Sequence, residues 1–313
     1  MTMSAVKVNA VKGWLETRTA KKLGLWLLLS LILSVIFFRD FWASLPVMLS
    51  PSWVLGQYHA SLWGVLALCL IFLWLKRKEV GRGMSQKRSL AFIPVGLALI
   101  AGAVLIPSSR DYLVFSVLLA SLGVFVIFFG RGAKIPSILL AIYGFSVSFP
   151  LAIQRFAEKA YSGAIIAPMM WVTTSLGYPL QTEGQWVHFT STGGESISVA
   201  ITTGCAGPAT MGVFIALFAL MMLDRPLPPK KAAWLFLFGA VGTWFQNFIR
   251  LVFVILLGYY LGENALWTGH FWSIYILFPL WYLLFAYIYF RQVRRLPRVR
   301  GRQELKYVTA TVR

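Results

Sequence analysis

The feature that most constrains this chain is a succession of apolar segments, each near the length of a bilayer crossing, separated by short basic loops. A hydrocarbon core of roughly 30 Å takes about 20 helical residues to cross. Eight segments meet or approach that length: Leu23–Phe38, Ser61–Leu75, Ser89–Ile106, Tyr112–Phe129, Ile135–Ile153, Ala206–Leu223, Ala232–Ile249 and Phe271–Phe290. Hydrocarbon offers backbone N–H and C=O groups no water, so each segment must bond internally as a helix. The predicted fold class is an all-α polytopic membrane protein with about eight transmembrane helices. The first two segments are short and are expected to extend into interfacial residues such as Lys22 and Trp42.

The distribution of cations tests that count. With eight spans and the N-terminus in the cytoplasm, the cytoplasmic pieces are 1–22, 76–88, 130–134, 224–231 and 291–313. They hold 24 of the 29 Lys and Arg, leaving Arg39, Arg110, Arg155, Lys159 and Arg250. Such a split at alternating loops follows the positive-inside rule and puts both termini in the cytoplasm. The organisation read from this is a basic cytoplasmic N-terminus at 1–22, a single transmembrane domain at 23–290, and a basic, flexible cytoplasmic tail at 291–313. The first helix carries no cleavage-like end and is expected to remain as an uncleaved anchor in the cell membrane.

Composition excludes several classes. At 58% hydrophobic and 12% charged residues, the chain has too little polar surface for a soluble domain of this size. A net charge of +19 raises the question of nucleic acid. The cations, however, sit in short loops between apolar runs, which fits orientation and contact with lipid headgroups as partners, and no nucleic acid. Two cysteines, Cys69 and Cys205, make no disulfide framework. The three histidines lack metal-ligand spacing, so neither a metal nor any other cofactor is expected.

One extracytoplasmic segment, 154–204, is longer than the other loops. Gln154–Leu176 is a mixed apolar and charged run expected to lie as a helix along the outer interface. Trp186–Thr190 and Ser196–Ile201 alternate in character across Thr192-Gly193-Gly194, which reads as a small β-hairpin before the sixth span.

That hairpin runs into Thr202-Thr203-Gly204-Cys205-Ala206-Gly207-Pro208. Gly204 and Gly207 permit a tight turn, and Pro208 suits a first helical turn. Cys205 is thereby predicted at a helix N-terminus, where the dipole lowers a thiol pKa and favours the thiolate. The alternative is a small packing residue at a crowded turn. Arg250 has apolar residues on both sides, an arrangement that costs about 2.5–3.5 kcal/mol at mid-helix and calls for a partner. Gln246 and Asn247 share its helical face and are supporting candidates. An arginine reaching to outer headgroups is the competing reading. His270 opens the last span, at a position where an imidazole can move protons.

By parity of the spans, Cys205, Arg250 and His270 all fall at the outer boundary. A thiolate, a proton carrier and a fixed cation suit acyl transfer from a peptide, with cysteine attacking, histidine protonating the leaving amine and arginine stabilising anionic charge. Thr203, Gly204, Gly207 and the hairpin residue His188 complete the set as substrate contacts or supports. Two other classes remain open. One is a transporter or channel in which Arg250 binds an anion, which broken helices or inverted repeats would favour. The other is a non-catalytic membrane scaffold.

The segment Thr203-Gly204-Cys205-Ala206-Gly207, the run Asn247-Phe248-Ile249-Arg250 within a later span, and His270 at the last one resemble the exosortase/archaeosortase family of membrane cysteine transpeptidases. The resemblance covers about residues 130–290, and the first four spans match only in being hydrophobic. The compact chain leans toward the archaeosortase side, and Ala206 stands where the family usually has serine. The resemblance implies an enzyme that recognises a C-terminal sorting signal on exported proteins: a short motif, a transmembrane helix and a basic cluster. It implies cleavage through a cysteine thioester and transfer to a lipid or other acceptor, with Cys205 as nucleophile, Arg250 as charge stabiliser and His270 as general acid/base.

Overall fold

A computed structural model describes residues 3–86, 89–107 and 109–295, with all their side chains except those of 3–19, 57, 58, 203 and 206. Each of the eight apolar segments forms a helix. The order is α1 (Met3–Phe37), α2 (Arg39–Met48), α3 (Pro51–Val54), α4 (Gln57–Leu75), α5 (Arg77–Met84), α6 (Phe92–Leu105), α7 (Arg110–Phe129), a 3-10 turn (Gly130–Ala133) and α8 (Lys134–Phe156). Then follow α9 (Glu158–Ser175), strands β1 (Gln181–Glu183), β2 (Trp186–Thr190) and β3 (Ser196–Ala200), and α10 (Thr203–Ala206), α11 (Pro208–Asp224), α12 (Pro229–Leu261) and α13 (Glu263–Arg294).

Among the described residues, four helical stretches are long and apolar enough to cross a membrane: Ala20–Phe37, Arg110–Phe156, Pro229–Leu261 and Glu263–Arg294. The pair α4–α5, bent by 64°, makes a fifth candidate, while α6 and α11 are shorter apolar helices. The stretch Arg110–Phe156 doubles back on itself. Phe115 of α7 lies against Tyr143 of α8, and a Cβ added at Gly144 would meet the Phe115 ring at 2.5 Å. Helices α6 and α7 approach closely through facing glycines, where a Cβ on Gly96 would stand 2.5 Å from the Gly123 carbonyl oxygen. Small residues at such crossings let backbones meet and gain dispersion contacts that lipid alone does not supply.

Several boundaries depart from the sequence-based expectation. From Met3 onward the basic N-terminal piece is helical and runs on into the first apolar segment as α1. Of the tail, Arg291 and Arg294 continue α13, and the stretch from 296 onward lies outside the described residues. Gln154 and Arg155 belong to the end of α8, and α9 buries Ser162, Ile165, Ile166, Met169 and Thr173 along one side. The hairpin region carries one strand more than expected. β1, β2 and β3 form an antiparallel sheet in that order, with Val187 opposite Val199 and Phe189 opposite Ile197.

The larger departure concerns α12, which runs unbroken for 33 residues. It enters at Pro229, whose missing N–H costs nothing in a first helical turn. It ends at Gly262, which holds a φ of +83°. The predicted span stopped at Ile249 because Arg250 interrupts the apolar run. The helix continues because Leu251, Val254 and Ile255 bury themselves against Val187, Phe189 and Ile197 of the sheet and Ile165 and Met169 of α9. The apolar stretch after Arg250 is thus covered by protein. The sheet is fixed to the helix end by hydrogen bonds from Thr192 N to the Tyr259 carbonyl (2.8 Å) and from Thr192 Oγ1 to that of Tyr260 (3.2 Å). Glu195 Oε2 accepts from the backbone N–H of Glu263 (3.0 Å), satisfying an orphan donor in the first turn of α13.

Candidate active site

The site is built where α10 meets α12 and the first turns of α13. Gly207 joins α10 to α11 with a φ of +98°, and a Cβ there would stand 2.9 Å from Asn247 Nδ2. Only glycine gives both the left-handed backbone and the room for α12 to press against the turn. Asn247 uses that proximity: its Nδ2 donates to the Cys205 carbonyl oxygen at 3.1 Å. Its Oδ1 accepts from Arg250 Nη1 at 3.2 Å, one helical turn on.

Arg250 is 1% exposed, and Asn247 beside it is equally buried. A guanidinium so deeply placed must have its donors engaged. Nε donates to Ser273 Oγ (3.0 Å), and Nη2 donates to the His270 carbonyl oxygen (3.1 Å). Nη2 also stands 3.2 Å from His270 Nδ1 and 3.5 Å from Nε2, so it touches the imidazole without selecting one nitrogen. Ser273 Oγ is 3.2 Å from the same His270 carbonyl. His270 Nε2 in turn lies 3.9 Å from Cys205 Sγ. Sulfur, imidazole and guanidinium, from three elements, form one connected cluster.

The electrostatics of the thiol differ from the sequence-based expectation. Cys205 belongs to a helix of only four residues, and the next helix starts beyond it at Pro208, so it does not head a long dipole. Burial pushes the Cys205 thiol up from its ordinary value. The Arg250 charge, followed by hydrogen bonds from the Thr202 side chain and backbone, pulls it back down. A fixed cation and hydrogen bonding favour the thiolate here, and desolvation outweighs them.

Beside the cluster opens a cavity of about 610 Å³, bounded on one side by Gly204, Gly207, Asn247 and Arg250. The opposite wall comes from earlier in the chain: Trp53 of α3, His59 near the start of α4, Arg110 and Asp111 at the start of α7, and Gln154 and Glu158 around the α8–α9 junction. His59 Nε2 faces Asp111 Oδ1 at 3.6 Å, and its ring stacks on Trp53 with centroids 3.7 Å apart.

Of the residues singled out in the sequence, Cys205, Asn247, Arg250 and His270 meet, with Gly204 and Gly207 at the cavity edge. Of Thr203 only the backbone is described. Gln246 shares the helix face but not the network, and its amide nitrogen and oxygen are buried without a hydrogen-bond partner among the described residues. His188 bonds Ser198 Oγ through Nδ1 (2.8 Å) on the sheet surface and does not line the cavity. Sequence reasoning missed Ser273 and the charged wall opposite. Ser273 had a signal, since it lies three residues after His270 on one helical face. The other wall had none, because Arg110 and His59 look like ordinary loop residues until the helices are packed. Cys69, deep in α4, is buried core, with Sγ 3.6 Å from the Leu139 carbonyl oxygen.

Over residues 52–287 the chain matches the family described as transmembrane exosortase (Exosortase_EpsH). The match reaches back to α3 and α4, and so takes in helices where the sequence resemblance offered only hydrophobicity. Searches of curated proteins and of solved structures found no match. Well over half of the chain is covered, and this multi-pass membrane protein belongs to the transmembrane exosortase family, whose role is membrane transpeptidation in protein sorting.

Proposed function

We propose that the protein is a cysteine transpeptidase that cuts C-terminal sorting signals (a short motif, a transmembrane helix and a basic cluster) from exported proteins on the outer face of the cell membrane. The observation that carries the reading is the 3.9 Å approach of Cys205 Sγ to His270 Nε2, with Arg250 bonded to the same histidine. In the first half-reaction Sγ attacks the scissile carbonyl carbon and its proton passes to Nε2. The C–N bond then breaks, and the amine leaves with that proton on the departing membrane helix. A thioester remains on Cys205. In the second half-reaction an acceptor amine or hydroxyl of a lipid or other molecule attacks the thioester and gives its proton to His270. The C–S bond breaks, and the sulfur takes that proton back from His270 to restore the thiol. Arg250 compensates the anionic charge that develops on sulfur and on the carbonyl oxygen, where preorganised donors are worth about 2.7–4 kcal/mol.

The 610 Å³ cavity gives the reacting segment or the acceptor a chamber beside Arg250, with charged side chains set in a largely apolar lining. The orientation proposed is eight crossings with both termini in the cytoplasm, following the asymmetry of Lys and Arg. A transport role has less behind it, because the helix that carries Arg250 runs unbroken for 33 residues, without the break that a midplane substrate site in a transporter uses.

The test is processing of exported proteins that carry such signals, in cells making the wild type, Cys205→Ala or Cys205→Ser. Unprocessed precursors should accumulate in both variants while the membrane content of the enzyme stays normal. Wild-type processing by Cys205→Ala would remove the proposal.

A further inference from the structure

At the opposite end of the bundle from the cysteine, a second cavity of about 730 Å³ lies between α5, α6 and the turn that joins α7 to α8. Its lining carries three cations, Arg82 of α5, Arg131 of the 3-10 turn and Lys134 at the start of α8, and one carboxylate, Glu79 of α5. Its floor is apolar, formed by Phe92, Val95 and Leu99 along α6.

The rim keeps an excess of positive charge, three cations against the one carboxylate Glu79. Among the described residues, no carboxylate lies within 4 Å of Arg82, Arg131 or Lys134, and Glu79 is engaged by Lys76 at 3.4 Å. Lys76 itself is taken up by Asp224 at 3.2 Å. The rim is also held in place. Helix α5 turns 64° away from α4, and Gly83 presses on the backbone of Gly132, where an added Cβ would stand 2.8 Å from the Gly132 Cα. Membrane orientation alone requires cations somewhere in these loops. It does not require that they be fixed around a hollow with an apolar floor.

A cationic rim above an apolar slot matches one chemistry, a phosphate ester joined to a hydrocarbon chain. Free phosphate would satisfy the rim and leave the floor without contacts. A neutral lipid would satisfy the floor and leave the cations uncompensated. We propose that this cavity binds an anionic phospholipid, its phosphate among Arg82, Arg131 and Lys134 and an acyl chain along Phe92, Val95 and Leu99. In the orientation proposed above, the lipid comes from the cytoplasmic leaflet. The site stands whether or not Cys205 is catalytic.

The experiment uses the full chain, purified in neutral detergent, with binding read by native mass spectrometry and by thermal stability. The probes are phosphatidylglycerol, phosphatidylcholine of the same acyl chains, and glycerol 3-phosphate. Wild type should retain phosphatidylglycerol on the order of tenfold or more over phosphatidylcholine, and should gain thermal stability from it. The double variant Arg131→Gln, Lys134→Gln should lose that preference, since each cation near a lipid surface contributes about fivefold. Val95→Trp, at a half-exposed position where folding is not at stake, should fill the slot and weaken phosphatidylglycerol while the cations stay intact. Equal retention of the two lipids by wild type overturns the proposal. So does undiminished phosphatidylglycerol binding in both variants. Glycerol 3-phosphate binding as tightly as the lipid, and insensitive to Val95→Trp, would make this a site for soluble phosphate and overturn the lipid assignment.

Discussion

Cys205 and His270 stand 65 residues apart in the chain, yet Sγ and Nε2 lie 3.9 Å apart across the contact between α10 and α13. Replacement of His270 by Gln keeps the volume and the polarity and removes the proton carrier. Processing should then fall by about 10²–10⁴-fold, the usual weight of a positioned acid–base group. The enzyme should still insert and run as a single species in detergent. Processing in His270→Gln within a factor of a few of wild type would show that the proximity has no role in proton transfer.

The pH dependence of the thiol follows from its surroundings. Burial raises the Cys205 thiol and the Arg250 charge lowers it, so the charge opposes desolvation without overcoming it. The rate of alkylation of Cys205 by iodoacetamide, followed by mass spectrometry, should rise with a midpoint above the roughly 8.5 of a free cysteine. In Arg250→Gln the lowering contribution is lost, and the midpoint should move higher still. A variant midpoint at or below that of wild type would show that Arg250 does not act on the sulfur. In intact cells, a membrane-impermeant maleimide should reach Cys205 from outside, as the proposed orientation demands.

Arg250 holds Asn247, Ser273 and the His270 backbone at once, through Nη1, Nε and Nη2. A lysine keeps the charge but cannot span three partners in one plane. Arg250→Lys should therefore lose processing by at least about 100-fold, close to the loss in Arg250→Gln. The expected structural cost is about 1–3 kcal/mol for each buried partner left unsatisfied, visible as a lower thermal midpoint. Near-wild-type activity in Arg250→Lys would mean that charge alone suffices and that the forked geometry is incidental.

Gly207 combines a φ of +98° with the close contact to Asn247. Ala at this position meets both obstacles, a strained backbone worth about 1–2 kcal/mol and a Cβ inside the Asn247 amide. Asn247 has to move, and with it the hydrogen bond to the Cys205 carbonyl. Gly207→Ala should lower both stability and processing. Gly204→Ala, where a Cβ meets only the Thr202 hydroxyl at 3.5 Å, should be tolerated better. The reverse ranking of the two variants in a processing assay would contradict this account of the turn.

The sequence by itself determined that the chain is a helical membrane protein, because hydrocarbon forces apolar runs to satisfy their own backbones and loop charge follows orientation. It also marked Cys205, Arg250 and His270, each chemically out of place in its surroundings. What it did not carry was length and depth. The residues Leu251 to Leu257 read as a second apolar run past an arginine, and only packing against Val187 and Phe189 shows them to be the covered end of one helix. For the same reason His270 reads as the start of a span and lies two turns inside α13. The thiol went astray at the sequence level because a helix-start pattern is local, whereas desolvation depends on α9 and the sheet closing over Cys205. The Ser273 contact, the His59–Asp111 wall and the cavity between them were decided by tertiary structure alone. They join residues from both halves of the chain, and separation along a sequence holds no distance until the helices are packed.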